Sequence, residues 1–349
     1  MKRLLACLLV CLFLFPITIR VRADDGERAA DVLPGIEGYE FDGSTQDWLD
    51  GKLSDEAGIG AEWYVLSLIK TRPDLDFTKY EAALRAYLTT HTVTSPVTKM
   101  KLALVLACLC SSPDDVSEIL SESIGRLGIM SWIWGLHLIN AGYETTEYTS
   151  EEVLREILDR QNDDGGWAIS GSISDVDVTA MTLQALAGQK ERTEVAQAIE
   201  RALALLVSRQ LPSGGFSSYG TENAESGAQV ILTLSTLGVS AEETGFEGGT
   251  ERMFEGVLQF ASENGGFTHE EGGTVNEVAT SQVYLAFSAY LAYRYGRTPL
   301  FYPDAAPGSF QPSDSVDKPF PYLAILIPVL AVGGALFGTL FVLHRKRAK

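Results

Sequence analysis

Asp175-Val176-Asp177-Val178-Thr179-Ala180 holds two carboxylates two residues apart at the start of an uncharged helical run. Such a pair can do one of two things. Either aspartate can cap the helix, accepting backbone N–H bonds and meeting the partial positive charge of the terminus. Alternatively, an aspartate held protonated by an apolar, hydrogen-bonded setting can act as a general acid, and Asp177 is the candidate. Other chemistries lack their residues. His91, His137 and His269 are scattered, and there is no CxxC pair and no HExxH. Cys108 and Cys110 sit two apart in an apolar run, which points them in different directions on a helix and predicts two buried thiols. No metal site and no cofactor are expected.

The elements that must position these residues emerge from a repeat. Leu158…Gln161-Asn162-Asp163-Asp164-Gly165-Gly166-Trp167 recurs as Leu206…Gln210-Leu211-Pro212-Ser213-Gly214-Gly215-Phe216. A weaker copy is Leu258…Glu263-Asn264-Gly265-Gly266-Phe267. A charged amphipathic helix precedes each copy, as at Thr149–Gln161 with Thr149 and Glu152 placed as a capping box. A nearly uncharged helix follows each, at Val178–Ala187, Ser226–Val239 and Val278–Tyr293. Upstream, charged segments at Thr45–Leu53, Phe77–Thr90 and Asp114–Arg126 alternate with uncharged ones at Trp63–Ile69, Leu102–Cys110 and Gly128–Gly142. A helix apolar on one stripe lies outside, whereas one apolar all round must be covered on every side. Six such pairs predict an all-α protein, an (α/α)6 toroid of six helical hairpins over residues 41–302, and strand signals are poor throughout.

Equivalent helix starts then gather at one mouth, bringing Glu62, Asp175, Asp177, Glu222, Glu225, Asn276 and Glu277 together. That rim would attract a cationic group or Ca2+, or would be a solvated edge with several caps. Trp63, Trp132, Trp134, Tyr284 and Phe287 are candidates to line the ring, for an apolar or cationic ligand or simply as core.

The chain's 349 residues carry a formal net charge of -19, yet mean hydropathy is +0.07. The ends account for the conflict. Residues 1–23 and 344–349 hold eight of the 27 basic residues and no acidic one, which leaves 19 against 46 Asp/Glu and a net −27 between them. Nucleic acid is excluded as a partner, because phosphate binding needs clustered positive charge. Residues 1–23 read as a secretory signal peptide, with Lys2 and Arg3 before an apolar run and Val21-Arg22-Ala23 as a cleavage site. Residues 24–40 read as an open N-terminal segment and 303–319 as a Pro/Ser-rich stalk. Residues 320–343 form an apolar run long enough to cross a bilayer, and the basic tail 344–349 after it is expected to stay cytoplasmic. The predicted topology is a single-pass membrane protein with its toroid outside, and Gly334 and Gly338 form a GxxxG pair for a homodimer of the anchor.

The repeat resembles the prenyltransferase and terpene (squalene) cyclase family of α/α toroids, with bacterial cell-surface repeat proteins and the cobalamin-carrier toroids as its nearest branches. Arg201-Ala202…Leu205-Leu206…Gln210…Gly215-Phe216 is similar to the family's QW repeat, and Gln161–Trp167 is a second match. The resemblance implies a structural role for Gln161, Gly165, Gly166, Trp167, Gln210, Gly214, Gly215, Phe216, Gly265, Gly266 and Phe267. It also implies that Asp175 and Asp177 match the first and middle positions of an Asp-x-Asp-Asp-Thr-Ala acid motif, where Val178 replaces the last Asp. The expectation that follows is a membrane-anchored extracytoplasmic toroid that binds a ligand or surface protein without catalysis. The alternatives are a class II cyclase-like isomerase with Asp177 as its acid, and a purely structural scaffold.

Overall fold

The computed structural model describes residues 25–109 and 113–303. The segment expected to be a signal peptide, Cys110, nearly all of the expected stalk, the apolar run 320–343 with its glycine pair, and the basic tail lie outside them. Among the described residues no helix is long and apolar enough to cross a membrane.

The fold is an α/α toroid. Its inner layer is α3 (Glu62–Thr71), α5 (Pro96–Cys108), α7 (Gly128–Asn140), α9 (Val176–Leu186), α11 (Ala224–Leu237) and α14 (Glu277–Arg294). Each packs on the next, and α14 returns to α3, so the ring closes. Outside lie α2 (Thr45–Trp48) running into a π-helical turn at Leu49–Leu53, α4 (Thr78–Thr90), α6 (Pro113–Ser123), α8 (Ser150–Leu158), α10 (Thr193–Arg209) and α13 (Gly249–Leu258), the last preceded by the single turn α12 (Ala241–Thr244). The division follows composition. Every residue of α11 is buried, whereas α8 buries only Val153, Leu154 and Ile157, the stripe that an amphipathic helix presents at three- and four-residue spacing. Thr149 and Glu152 form the expected capping box.

All six inner helices run the same way. At their C-terminal ends Asn140 donates to Ala185 O, Lys190 Nζ to Leu237 O, and Arg297 to Lys70 O. Their starts therefore share the opposite mouth.

The Gly-Gly loops join the layers. Gly214 has φ 92°, and a Cβ there would collide with the carbonyl oxygen of Arg252 on α13. Gly165 meets Arg201 of α10 in the same way. Behind each pair the aromatic ring is buried: Trp167 donates its Nε1–H to Ile157 O at 2.8 Å, and Phe216 is fully enclosed. Gln161 donates to Gly165 O and Ala198 O, so it ties its own loop to the next outer helix. Gln210 does the equivalent with Glu247.

Two elements depart from the sequence expectation. Residues 25–40, expected to be open, form helix α1 (Asp25–Glu40), which packs on α14 and buries Ala29, Leu33 and Ile36. Those three share one face at four- and three-residue spacing, which the surrounding acids, glycines and Pro34 obscure. The third loop shows why α1 is needed: Gly265, at φ 101°, abuts the Gly35 carbonyl just as Gly214 abuts Arg252. The second departure is a short antiparallel hairpin, β1 (Phe216–Ser218) and β2 (Thr221–Asn223), just before α11. Three-residue strands are too short to leave a periodic signal.

Gly214→Ala should lower stability by about 2 kcal/mol or more, because left-handed backbone strain adds to a backbone collision. Gly171→Ala, also at positive φ but in open space, should cost only the strain, about 1 kcal/mol. Thermal melting of both variants checks the difference.

Candidate active site

The axis of the ring is closed below the mouth. Phe301, from the segment after α14, stands 6.2 Å from the ring of Trp63, 6.1 Å from Trp134 and 4.9 Å from His137. The space left among these residues and Met181, Gln184, Gln229, Leu232 and Leu285 is ≈ 20 Å³, room for about one water. Leu300 and Tyr302 flank the plug and are buried with it. Above it, Gln184 donates to Gln229 Oε1 at 2.9 Å and Gln229 to Gln282 Oε1 at 2.8 Å, a row of amides from three successive inner helices. His137 is wholly buried beside the plug, and desolvation pulls its pKa down to about 3, so its ring is neutral.

At the mouth the two aspartates divide the roles that the sequence left open. Asp175 is the N-cap of α9: its Oδ1 accepts the Asp177 and Val178 N–H groups at 3.0 and 3.1 Å. Its Oδ2 accepts the Ser218 hydroxyl at 2.6 Å, fastening the hairpin to α9. Asp177, freed from capping, is mostly buried, and its Oδ1 makes no hydrogen bond. Burial pushes its pKa up to about 6; the Asp175 and Glu225 charges push the same way, against the neighbouring Ser226 and Ser218 hydroxyls. Glu225 lies in the first turn of α11, with its Oε2 2.9 Å from His269 Nδ1. His269 is held there because its carbonyl accepts the Ala224 N–H.

The remaining rim residues are placed differently. Glu222 is spent on the second Gly-Gly loop, accepting from Ser213 and from Gln259 at 2.8 Å. Asn276 caps α14. Glu62 is buried, accepts the Gly58 N–H at 2.7 Å, and pairs with Lys101 at 3.4 Å. Glu277 belongs to a group with Glu40, Lys52 and Tyr64, where burial and the Glu40 charge raise its pKa. The structure thus brings together Asp175, Asp177 and Glu225, with Glu62 and Glu277 on other parts of the rim. Among the described residues no cluster of three or more His, Cys, Asp or Glu could hold a metal ion.

Of the five candidate lining aromatics, Trp63 and Trp134 reach the axis, 5.8 Å apart. Lys101 Nζ lies 4.2 Å over the Trp63 ring. The other three turn toward the outer layer. Trp132 packs on Tyr148, Tyr284 on Trp48 and Tyr64, and Phe287 on Phe254 of α13. An inner helix has two faces, and aromatic type alone does not say which one a residue occupies. Sequence reasoning missed Ser218, Ser226, His269 and the plug. The Tyr219-Gly220 turn was the available sign of the hairpin, and Leu300-Phe301-Tyr302 that of the plug.

Phe301→Ala should cost about 3–5 kcal/mol and leave an aromatic-lined cavity under the mouth. Chemical denaturation measures the loss, and xenon uptake in the variant alone would report the cavity.

No protein-family model matches the sequence, and no curated protein matches it. Solved structures do share its fold. A polysaccharide lyase aligns with TM-score 0.52 at 11% identity, over 78% of this chain and 98% of its own. A glycosyl hydrolase family 88 protein from Bacteroides vulgatus gives 0.52 at 8%, over 77% of this chain and 100% of its own. A possible member of the GH105 family from Salmonella enterica serovar Paratyphi A gives 0.52 at 12%, over 77% and 95%. These likenesses correct the functional expectation. The three solved toroids are a polysaccharide lyase and proteins of glycoside-hydrolase families rather than non-catalytic binding proteins. The chain is similar to α/α toroids of the lyase and glycoside-hydrolase kind.

Proposed function

We propose that the protein is a glycoside hydrolase whose site is the mouth of the ring, with Asp177 as general acid. One observation carries the reading: a mostly buried carboxyl at the mouth of the ring, its Oδ1 without a partner and its pKa raised to about 6. Glycoside hydrolysis needs one carboxyl group that still holds its proton near working pH and a second carboxylate for the water or the sugar. Asp177 donates its proton to the glycosidic oxygen as the bond from that oxygen to the anomeric carbon breaks. Water attacks the same carbon, and its proton passes to Glu225, which His269 orients. Asp175 positions Asp177 by capping α9 and adds negative charge that helps keep the acid protonated. The fold's occurrence in a polysaccharide lyase and in glycoside-hydrolase families supports the substrate class.

Asp177→Asn should lower the release of reducing ends from a cleaved glycan by roughly 100-fold or more, the usual worth of a general acid. Activity of the parent should fall as pH rises through about 6, when Asp177 loses its proton. Stability carries the same sign. Above the unfolded value of 3.8 the native chain still binds a proton that the unfolded chain has lost, so stability declines with rising pH until Asp177 ionises near 6. Asp177→Asn should remove that decline and be more stable at pH 7 by at most about 3 kcal/mol. An Asn variant as active as the parent would rule Asp177 out as the acid.

A further inference from the structure

The mouth that holds Asp177 has a charge and a surface that select among glycans. Its carboxylates are Glu62, Asp175, Asp177, Glu222, Glu225 and Glu277. The cations at this end of the ring already have partners: Lys52, Lys99, Lys101, Arg126, Arg160 and Arg209 pair with carboxylates, and Arg201 donates to Gln161 Oε1. A uronate or sulfated chain entering here would place its negative charges among carboxylates whose neighbouring cations already have partners, an arrangement that costs binding energy and slows association.

The exposed surface around the mouth is apolar between those charges. Ile59, Leu127, Ile169, Ile173, Tyr219 and Val278 are exposed, and each lies just before or at the start of an inner helix. Tyr219 stands out among them. It forms the hairpin turn with Gly220, both residues at positive φ (50° and 86°), and it is the one non-glycine residue with positive φ among the described residues. Asn or Gly is the natural choice there, and tyrosine holds the conformation only at an energetic cost. Its side chain is 87% exposed, so packing does not compensate. The adjacent Ser218 is tied to Asp175, two residues from the acid, which fixes the hairpin beside Asp177. A strained, exposed aromatic ring carried on a hairpin that is bonded to the acid's own helix cap is a platform for the apolar face of a sugar.

We infer that the substrate is an uncharged glycan chain and that Tyr219 is the aromatic platform on which one of its sugar rings stacks next to Asp177. This rests on the hydrolase reading of the same mouth and deepens it. Tyr219 is a substrate-positioning residue, and its hydroxyl is not needed for stacking.

The test is calorimetric titration of the full chain carrying Asp177→Asn, so that recognition is read without turnover. The probes are mannohexaose, xylohexaose and cellohexaose as neutral chains, hexagalacturonate as the anion, and a chitosan hexamer as the cation. A neutral chain should bind most tightly. Adding Tyr219→Ala should weaken that binding about tenfold and Tyr219→Phe should leave it within about twofold, as loss and retention of one stacked ring require. Tyr219→Asn should raise the melting temperature while losing the same affinity, because it relieves the turn and removes the ring; a merely structural tyrosine would not move the two in opposite directions. Tightest binding of hexagalacturonate or of the chitosan hexamer overturns the inference. So does failure of every neutral chain to bind, or neutral binding unmoved by Tyr219→Ala. The parent chain keeps the two readings apart. If it binds a neutral hexamer through Tyr219 but cleaves none, the hydrolase reading fails and this one stands; if it cleaves hexagalacturonate, the reverse holds.

Discussion

The contact on which the rest of the structure depends is that of a loop glycine against the backbone of the next outer helix. It is made three times, by Gly165 on Arg201, Gly214 on Arg252 and Gly265 on Gly35. No other residue type permits it, because a Cβ would stand where the neighbouring carbonyl already is. Each contact sets the spacing between one helix pair and the next. Behind it, Trp167, Phe216 or Phe267 is driven into the gap between the layers. The third contact is made with α1 rather than with a seventh pair, and a ring built from a linear repeat closes there.

Closure governs the rim as well. Six parallel inner helices place their starts on one rim, and each start needs an acceptor for its unpaired N–H groups. Asn223, Asn276 and Asp175 supply it for α11, α14 and α9. Because Asp175 takes the capping duty, Asp177 is left without one, and the hairpin and α11 close over it. Burial and like charge then act together on a single carboxyl. At the other end of the axis Phe301 does the opposite work, filling the ring against Trp63, Trp134 and His137.

The fold was legible because its signals are periodic. Uncharged runs alternating with amphipathic ones are a direct readout of burial on all sides against burial on one, and the Gly-Gly-aromatic loops mark the joints between them. Helix α1 was not legible: its three buried residues, Ala29, Leu33 and Ile36, are set among acids, glycines and a proline, and its stability comes from α14 and the third loop rather than from its own sequence. The site was legible in part. The position of Asp175 and Asp177 at a helix start could be read from the chain, but which of them caps and which is buried depends on Ser218 and Glu225, at least 41 residues away. Trp132, Tyr284 and Phe287 look like Trp63 and Trp134 in sequence, yet they face the outer helices, because an inner helix buries both its faces and composition is the same on each.

By itself, then, the chain's sequence determined the class of fold, the two layers and the rim on which acidic residues collect, since these follow from local patterning that one helix pair after another repeats. Only the tertiary structure decided that the axis is plugged, that Asp177 is the carboxyl held near neutrality, and that a hairpin carries Tyr219 beside it. Those outcomes turn on desolvation and on charges from separate helix pairs, and neither quantity exists until the ring has closed.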